Sequence, residues 1–386
     1  MQDILTDPRP ECVVIGAGLC GAVMARLLAE QGGQRVLVVE RRAHIGGNCY
    51  DYRDRNGITV HRYGSHIFHT ADARVWAFLR RFSDFNTYQH QILGQIDGII
   101  THLPFNFNTL HEVFPPTLAR RLERRLLRRF PYGARVPILR LREVRDADLR
   151  FLADYVYEKV YLHYTRKQWG GLDPEQLSPA VTARVPVCLS RDNRSFHEPF
   201  QGIPVRGYTA LIAALLDHPR ISVRCRCDAA TLRRHDLRGL SIFCTGGIDE
   251  YFDFRLGALP YRSLRLALEE HEREHYQCGA VINYPCDYDF TRIHEYKHYL
   301  GERSPRTVIA KEYPEPFVPG RNERFYPVAT PESEALAARY AELAARQGQV
   351  HFLGRLGDYR YYDMDDVVLR AMEVFDALPG PAPRPA

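Results

Sequence analysis

Gly16, Gly18 and Gly21, in the run Gly16-Ala17-Gly18-Leu19-Cys20-Gly21, have the spacing with which a backbone holds a pyrophosphate. Without side chains at those points, main-chain N–H groups and the start of a helix can close on a negatively charged diphosphate. Glu40 follows 24 residues after Gly16, where a carboxylate accepts hydrogen bonds from ribose hydroxyls. Positioning these groups takes a buried strand into the turn, a helix out of it and a second strand ending on the acid. The chain supplies all three in order: Cys12-Val13-Val14-Ile15, a helical segment from Leu19 to about Gln31, and Arg35-Val36-Leu37-Val38-Val39. A glycine-rich turn alone is a common structural device, but this succession predicts a nucleotide site.

The residues after Glu40 bear on which nucleotide. Arg41-Arg42-Ala43-His44-Ile45 leads to Gly46, Gly47 and Asn48. NAD-binding dehydrogenases do not need this second glycine pair; a large class of FAD enzymes carries it around the ribose and diphosphate. Near the other end, His351-Phe352-Leu353-Gly354-Arg355-Leu356 has the form of a strand and glycine that close a flavin site. The run Asp363-Met364-Asp365-Asp366-Val367-Val368 then opens a helix, with acids in its first turn as the dipole favours. FAD is the expected cofactor.

The 386 residues suffice for two or three units with ample core. A net charge of +5 suits a small anionic ligand and is too weak to argue for nucleic acid. The most basic segment, Thr117 to Phe130, reads as an amphipathic helix with Leu118, Leu122, Leu126 and Phe130 on one face. Its arginines then form a solvated face; contact with a membrane or polyanion is the alternative. Nine cysteines form no C-x-x-C pair, and Cys225-Arg226-Cys227 is spaced too closely for a zinc knuckle, so no metal is expected. The first ten residues are polar, and no apolar run approaches the roughly 20 residues of a bilayer span. A soluble, cytoplasmic protein without signal peptide is expected.

The predicted fold is α/β: a discontinuous Rossmann-like FAD-binding domain with an inserted helical domain and an antiparallel-sheet domain. The expected organisation is an N-terminal cofactor part over 1–85 and a mainly helical insert over 108–183, followed by a mobile substrate loop. A sheet-rich substrate domain over 200–325, a C-terminal part over 326–378 that closes the FAD site, and a disordered tail over 379–386 complete it. Within the helical insert, Asp148 to Tyr164 reads as one aromatic-rich helix. Strands are expected at Ile221-Ser222-Val223-Arg224, Ser241-Ile242-Phe243-Cys244, Ala280 to Tyr284 and Thr307 to Ala310.

Several dense motifs resemble one family. His61-Arg62-Tyr63-Gly64-Ser65-His66-Ile67-Phe68-His69-Thr70 resembles the H-K-Y-G-A-H-I-F-H-T segment of bacterial UDP-galactopyranose mutases. Leu103 to Thr109 resembles their L-P-F-N-x-N-T, Tyr164 to Gly170 their Y-T-x-K-Q-W-G, and Phe200 to Pro204 their Y-Q-G-I-P. Thr291-Arg292-Ile293, Lys311-Glu312-Tyr313-Pro314, Tyr326-Pro327-Val328 and Tyr361-Tyr362-Asp363-Met364 follow in the family's order, so the resemblance runs from about Cys12 to Val374.

The resemblance implies an isomerase that interconverts UDP-galactopyranose and UDP-galactofuranose for cell-surface glycan synthesis, using reduced FAD without net redox change. It implies attack of flavin N5 on the anomeric carbon, departure of UDP, ring opening through an iminium and closure onto the 4-hydroxyl. An external electron donor for the flavin and a homodimer are implied with it. Arg292 stands at the diphosphate-arginine position, with Arg184 secondary, and Tyr326 and Tyr361 at positions that bind the same phosphates. Tyr164, Thr165, Trp169, Phe200 and Asn283 match the uridine and sugar pocket, with His90 and Asn106 as further candidates. His66 and Ile67 are implied beside the flavin ring, and Arg355, Tyr362, Asp363, Met364, Asp365, Asp366 and Val367 close on the cofactor from the other side.

One departure stands out. The family carries a mobile-loop arginine thirteen residues before the Gln of its Q-G-I-P motif, and here that position is Cys188. A thiol supplies neither a permanent charge nor a bidentate fork. Arg191 could take over, the substrate could be another nucleotide sugar, or activity could be impaired. Two further alternatives stand beside a mutase: a flavin oxidoreductase of the amine-oxidase type and a non-catalytic nucleotide-sugar binding protein.

Overall fold

The computed structural model describes residues 9–177, 186–232, 235 and 237–379. Arg184, and the expected tail beyond Pro379, lie outside the described residues.

Cys12–Ile15 and Val36–Glu40 are uniformly buried, as strands covered on both faces must be. They form the middle of a five-stranded parallel sheet in the order Ile221–Cys225, Val36–Glu40, Cys12–Ile15, Ser241–Cys244, Val350–Phe352. Leu19–Glu30 is the helix out of the first turn, ten of its residues are buried, and it packs on the helices Met364–Asp376 and Tyr208–Leu216. The cofactor unit is therefore discontinuous, and the chain is mixed α/β with a Rossmann-like sheet. Two strands sit elsewhere than the sequence reading put them: Ile221–Cys225 and Ser241–Cys244 fall inside the expected 200–325 substrate domain but pair with the nucleotide-binding strands. Both are short β-branched and aromatic runs, which suit either sheet.

The second sheet has seven strands in the order Tyr326–Pro327, Tyr261–His271, Thr307–Pro316, Arg292–Glu295, Val281–Asn283, Ile92–Ile96, Ile99–Leu103. Its pairings are antiparallel except that of Val281–Asn283 with Ile92–Ile96. The hairpin 92–103 thus extends the sheet from outside the expected span.

Between residues 107 and 169 the chain is helical around its own core, which includes Leu110, Leu122, Leu126, Leu152 and Val156. The Arg-rich helix is Pro116–Arg129, with Ala119, Leu122 and Leu126 buried. Its Arg121 and Arg125 pair with Asp146 and Asp148. The segment expected as one helix is three: Ala147–Val156 is α-helical, Tyr157–Leu162 π-helical and His163–Trp169 α-helical, ending at Gly170 with φ +71°. Among the described residues no helix is long and apolar enough to cross a membrane.

The third glycine of the turn is demanded by packing. A Cβ on Gly21 would lie 2.0 Å from the carbonyl oxygen of Gly16, which is backbone and cannot give way. Gly21→Ala is expected to lower stability by at least about 1–3 kcal/mol, the usual range for overpacking, and to lower the amount of cofactor retained on purification. An unchanged urea midpoint would contradict this account.

Candidate active site

The first turn and the second glycine pair build one cradle. Gly16 has φ +106°, and a Cβ there would lie 2.2 Å from Thr245 Oγ1. Gly46 N–H donates to the Ala17 carbonyl at 2.9 Å, and Gly18 bridges Gly46 in parallel fashion. A Cβ on Gly47 would stand 2.8 Å from Gly18 Cα. Glu40 is buried and braces the same loop: one carboxylate oxygen accepts from Ala17 N–H and the other from Arg42 N–H, both at 2.9 Å. Asn48 accepts from Arg42 at 2.9 Å and donates to the Arg324 carbonyl at 3.1 Å.

A cavity of about 1300 Å³, open mouth included, runs along this cradle. Of the residues expected at the cofactor, Gly16, Gly18, Glu40, Gly46, Gly47, Asn48, His66, Arg355, Asp363, Met364 and Val367 line it. Gly21 underlies the turn, Ile67 packs into the core, and Tyr362 offers its carbonyl to Arg355 Nε at 3.1 Å. Asp366 instead caps the helix Met364–Asp376 by accepting from Asp363 N–H at 2.8 Å. Asp365 lies beside Thr70 and His69, and burial, reinforced by Asp366, pushes its carboxyl up. His66 Nδ1–H donates to the Gly64 carbonyl at 2.8 Å. Burial, with His61 and Arg355 nearby, pushes its imidazole down to about 3, so the ring is neutral and its Nε2 is left as an acceptor.

Arg42 and Arg324 also line the cavity and were not anticipated. Arg42 pairs with Glu323 at 2.6 Å, and Arg324, almost fully buried, contacts Glu250 and Asp249. Among the described residues the Nε of each has no hydrogen-bond partner. The adjacency of Arg42 to Glu40 was an available signal; Arg324 offered none.

Arg355 joins this cavity to the residues expected at the substrate. Its guanidinium lies 5.5 Å from the Tyr326 ring and 5.1 Å from the Tyr361 ring, which stack on each other at 5.5 Å. Trp169 tilts against Tyr326 at 6.3 Å. Arg292 donates to the Tyr164 hydroxyl and pairs with Glu312 at 3.4 Å. Asn283 stands opposite Arg292 in the strand register, with its Oδ1 buried and without a partner among the described residues. Glu312, buried, also accepts from Thr291 Oγ1 at 3.1 Å and from His294 Nε2 at 3.0 Å. Burial opposes its ionisation, yet Arg292 and His294 hold the carboxyl down to about 2. His294 Nδ1 meets Ser65 Oγ at 2.6 Å, and Tyr299 hydroxyl donates to the same Ser65 at 2.5 Å. Glu312 and His294 were thus missed as supports of Arg292, although Glu312 lay within a quoted motif.

His90 is buried, bonds Tyr88 at 3.0 Å and stacks on Phe196 at 5.8 Å; burial, then Arg292 and His294, push its imidazole down to about 3. Thr165 is half-buried beside Tyr164 on the helix His163–Trp169. Phe200 stacks on Trp76 at 5.5 Å. Asn106 does other work. Its Oδ1 accepts from Asn108 N–H at 2.8 Å and Thr109 N–H at 3.2 Å as the cap of Phe107–Val113, and its Nδ2 donates to Asn193 at 3.0 Å. Cys188 is buried in a two-residue strand opposite Arg135, where burial pushes its thiol up. Arg191 is held by Glu123 at 2.8 Å over the Phe107 ring, so in this arrangement it is committed to the helical unit.

Two outcomes follow from these contacts. Asn106→Ala is expected to cost about 1 kcal/mol, the usual loss of a helix cap, with substrate KM unchanged; a raised KM at unchanged stability would restore Asn106 as a ligand. For Glu312 the folded pKa lies below its unfolded value of about 4.3, so its stabilisation is full above that value and lost as pH falls toward about 2. Glu312→Gln is expected to flatten the pH dependence of unfolding free energy across that window, and parallel curves for the two proteins would refute it.

Comparison with known proteins bears on the family and the fold. The sequence pattern of the family described as UDP-galactopyranose mutase matches residues 159–361, and that of an NAD(P)-binding Rossmann-like domain matches residues 14–82. The chain is 34% identical to the protein of Klebsiella pneumoniae named probable UDP-galactopyranose mutase, over 94% of this chain and 93% of that one. It is also 34% identical to dTDP-fucopyranose mutase of Escherichia coli, over 94% and 96% of the two chains. A crystal structure of reduced UDP-galactopyranose mutase superposes with a TM-score of 0.71 at 16% identity, covering 95% and 93% of the chains, which speaks for the fold. The chain belongs to the UDP-galactopyranose mutase family, a family of isomerases.

Proposed function

We propose that this mutase interconverts UDP-galactopyranose and UDP-galactofuranose with FAD in its reduced form. The observation that carries the reading is the continuity of two built regions. A glycine cradle for a dinucleotide meets, through Arg355, a cluster of tyrosines and half-buried Arg292 paired with buried Glu312. The cradle fits FAD: a Cβ on Gly16 would stand 2.2 Å from Thr245 Oγ1 and one on Gly47 2.8 Å from Gly18 Cα, so the turn stays bare, and Arg42 and Arg324 bring positive charge to its wall. Gly16, Gly18, Gly46, Gly47 and Asn48 would hold the pyrophosphate and ribose, and His66, Arg355 and Met364 the remainder of the cofactor. When bound, reduced flavin supplies the nucleophile that displaces the nucleotide from the anomeric carbon.

The chain's own part is to keep the departed diphosphate in place until it is needed again. Arg292 is the cation for this, with Tyr326 and Tyr361 donating hydroxyl hydrogen bonds to the same phosphates. Glu312 and His294 fix the guanidinium, while Tyr164, Thr165, Trp169, Phe200, Asn283 and His90 form the nucleoside and sugar wall. Neutral His66 accepts a hydrogen bond without adding charge beside the flavin. The protein is cytoplasmic and homodimeric, and it takes electrons for the flavin from an external donor.

A second reading rests on Cys188 and on the equal identity to a dTDP-fucopyranose mutase: the substrate is another nucleotide sugar. Both are tested together. Dithionite-reduced protein is incubated with UDP-galactofuranose and, separately, dTDP-fucofuranose, and pyranose products are followed by HPLC. Conversion of the first that stops on flavin oxidation is expected. Conversion of the second alone selects the other sugar, and conversion of neither leaves nucleotide-sugar binding without catalysis. Arg292→Ala is expected to lower kcat on the order of 10²-fold or more.

A further inference from the structure

Side chains alternate along Arg292–Glu295, so Arg292 and His294 face the candidate active site and Glu295 faces away. On that far side Glu295 is fully buried. Its carboxylate accepts from Tyr276 N–H and Gln277 N–H, each at 2.8 Å, and from Thr307 Oγ1 at 2.6 Å. A buried carboxylate ordinarily needs a cation. Among the described residues neither a lysine nor an arginine pairs with it. The nearby Lys297 instead directs its Nζ to the carbonyls of Glu274, Ser304 and Arg306.

Two imidazoles close on Glu295 in place of a cation. His298 Nε2 lies 3.2 Å from Oε2 and His275 Nδ1 lies 3.8 Å from Oε1, with the two rings 4.8 Å apart. One ligand atom from each residue lies within 4.8 Å of the others. Bonds of about 2.0–2.1 Å to a tetrahedral zinc set ligand atoms roughly 3.3 Å apart. The His298–Glu295 pair already has that spacing, and His275, exposed and 3.8 Å from the other carboxylate oxygen, closes the remaining gap by turning its side chain. Two neutral imidazoles and one carboxylate are the donors zinc prefers, and the three N–H and O–H donors to Glu295 orient it as outer partners of a metal ligand do.

We propose that His275, Glu295 and His298 form a zinc site on the face of the sheet opposite Arg292, with water completing the tetrahedron. The metal takes the Nε2 lone pair of His298, and the single ring proton that His298 directs at Glu295 moves by way of water to Nδ1. The site ties the segment 272–280 and the helix Lys297–Leu300 to the strand that carries Arg292.

The test uses full-length, flavin-loaded protein freed of metal with EDTA, titrated with zinc chloride by calorimetry and followed by thermal unfolding. One zinc per chain and a raised Tm are expected. His275→Ala and His298→Ala should each weaken binding at least about tenfold, the loss that even an outer partner brings. Their far-UV circular dichroism and flavin content serve as checks on folding. Because Cys278 is exposed three residues beyond His275, Cys278→Ser is run alongside and should bind as before. Cobalt substituted for zinc should give weak visible bands without a thiolate charge-transfer band. The assignment is overturned by no binding, by binding indifferent to both histidine changes, or by binding that depends on Cys278.

Discussion

A guanidinium that stays charged inside a fold must be met by something, and Arg292 sets that demand. It cannot shed its proton in a protein. Antiparallel pairing answers by register, placing Glu312 directly opposite Arg292 on the neighbouring strand. Thr291 and His294 then fix the carboxylate, and Ser65 fixes His294 in turn. Such a pair contributes little net stability once desolvation is counted. Its value is to hold a charge already oriented at the candidate site.

The second constraint is that two distant parts of the chain share one cavity. The glycine cradle comes from the first fifty residues, while Arg355 and the N-terminal end of Met364–Asp376 come from the last forty. Arg355 belongs to both neighbourhoods at once, lining the cavity and lying over Tyr326 and Tyr361. Its Nε, bonded to the Tyr362 carbonyl, ties it to the chain it helps to close. The stretch from Arg355 to Met364 thus joins the cavity to the tyrosine cluster, with Arg355 and Asp363 on the one and Tyr361 in the other.

What the sequence made legible was whatever local sterics decide. The turn glycines are such a case, since Gly16 with φ +106° and Gly21 against a carbonyl admit no side chain. Sheet membership was not legible: Ile221–Cys225 and Ser241–Cys244 look like any other β-branched run, and only tertiary pairing assigns them to the parallel sheet. Asn106 misled for a different reason, because an asparagine within a family motif reads equally as ligand or as helix cap, and its hydrogen bonds are spent on the cap. Arg324 lay wholly outside view. Its position in the cavity wall comes from long-range packing that no short pattern encodes.

The order of the parallel sheet also has a cost in time. Gly354 follows Gly16 by 338 residues, and its strand Val350–Phe352 pairs with Ser241–Cys244, itself beside the first strand. At about 5–20 residues per second, roughly 20 seconds to a minute of synthesis separates the pyrophosphate turn from the wall that closes over it. For that interval Cys12–Ile15 and Val36–Glu40, buried throughout in the finished fold, lack the neighbouring strands that complete their sheet. The cavity is complete only when the far end of the chain has arrived, so cofactor capture is a late event in folding.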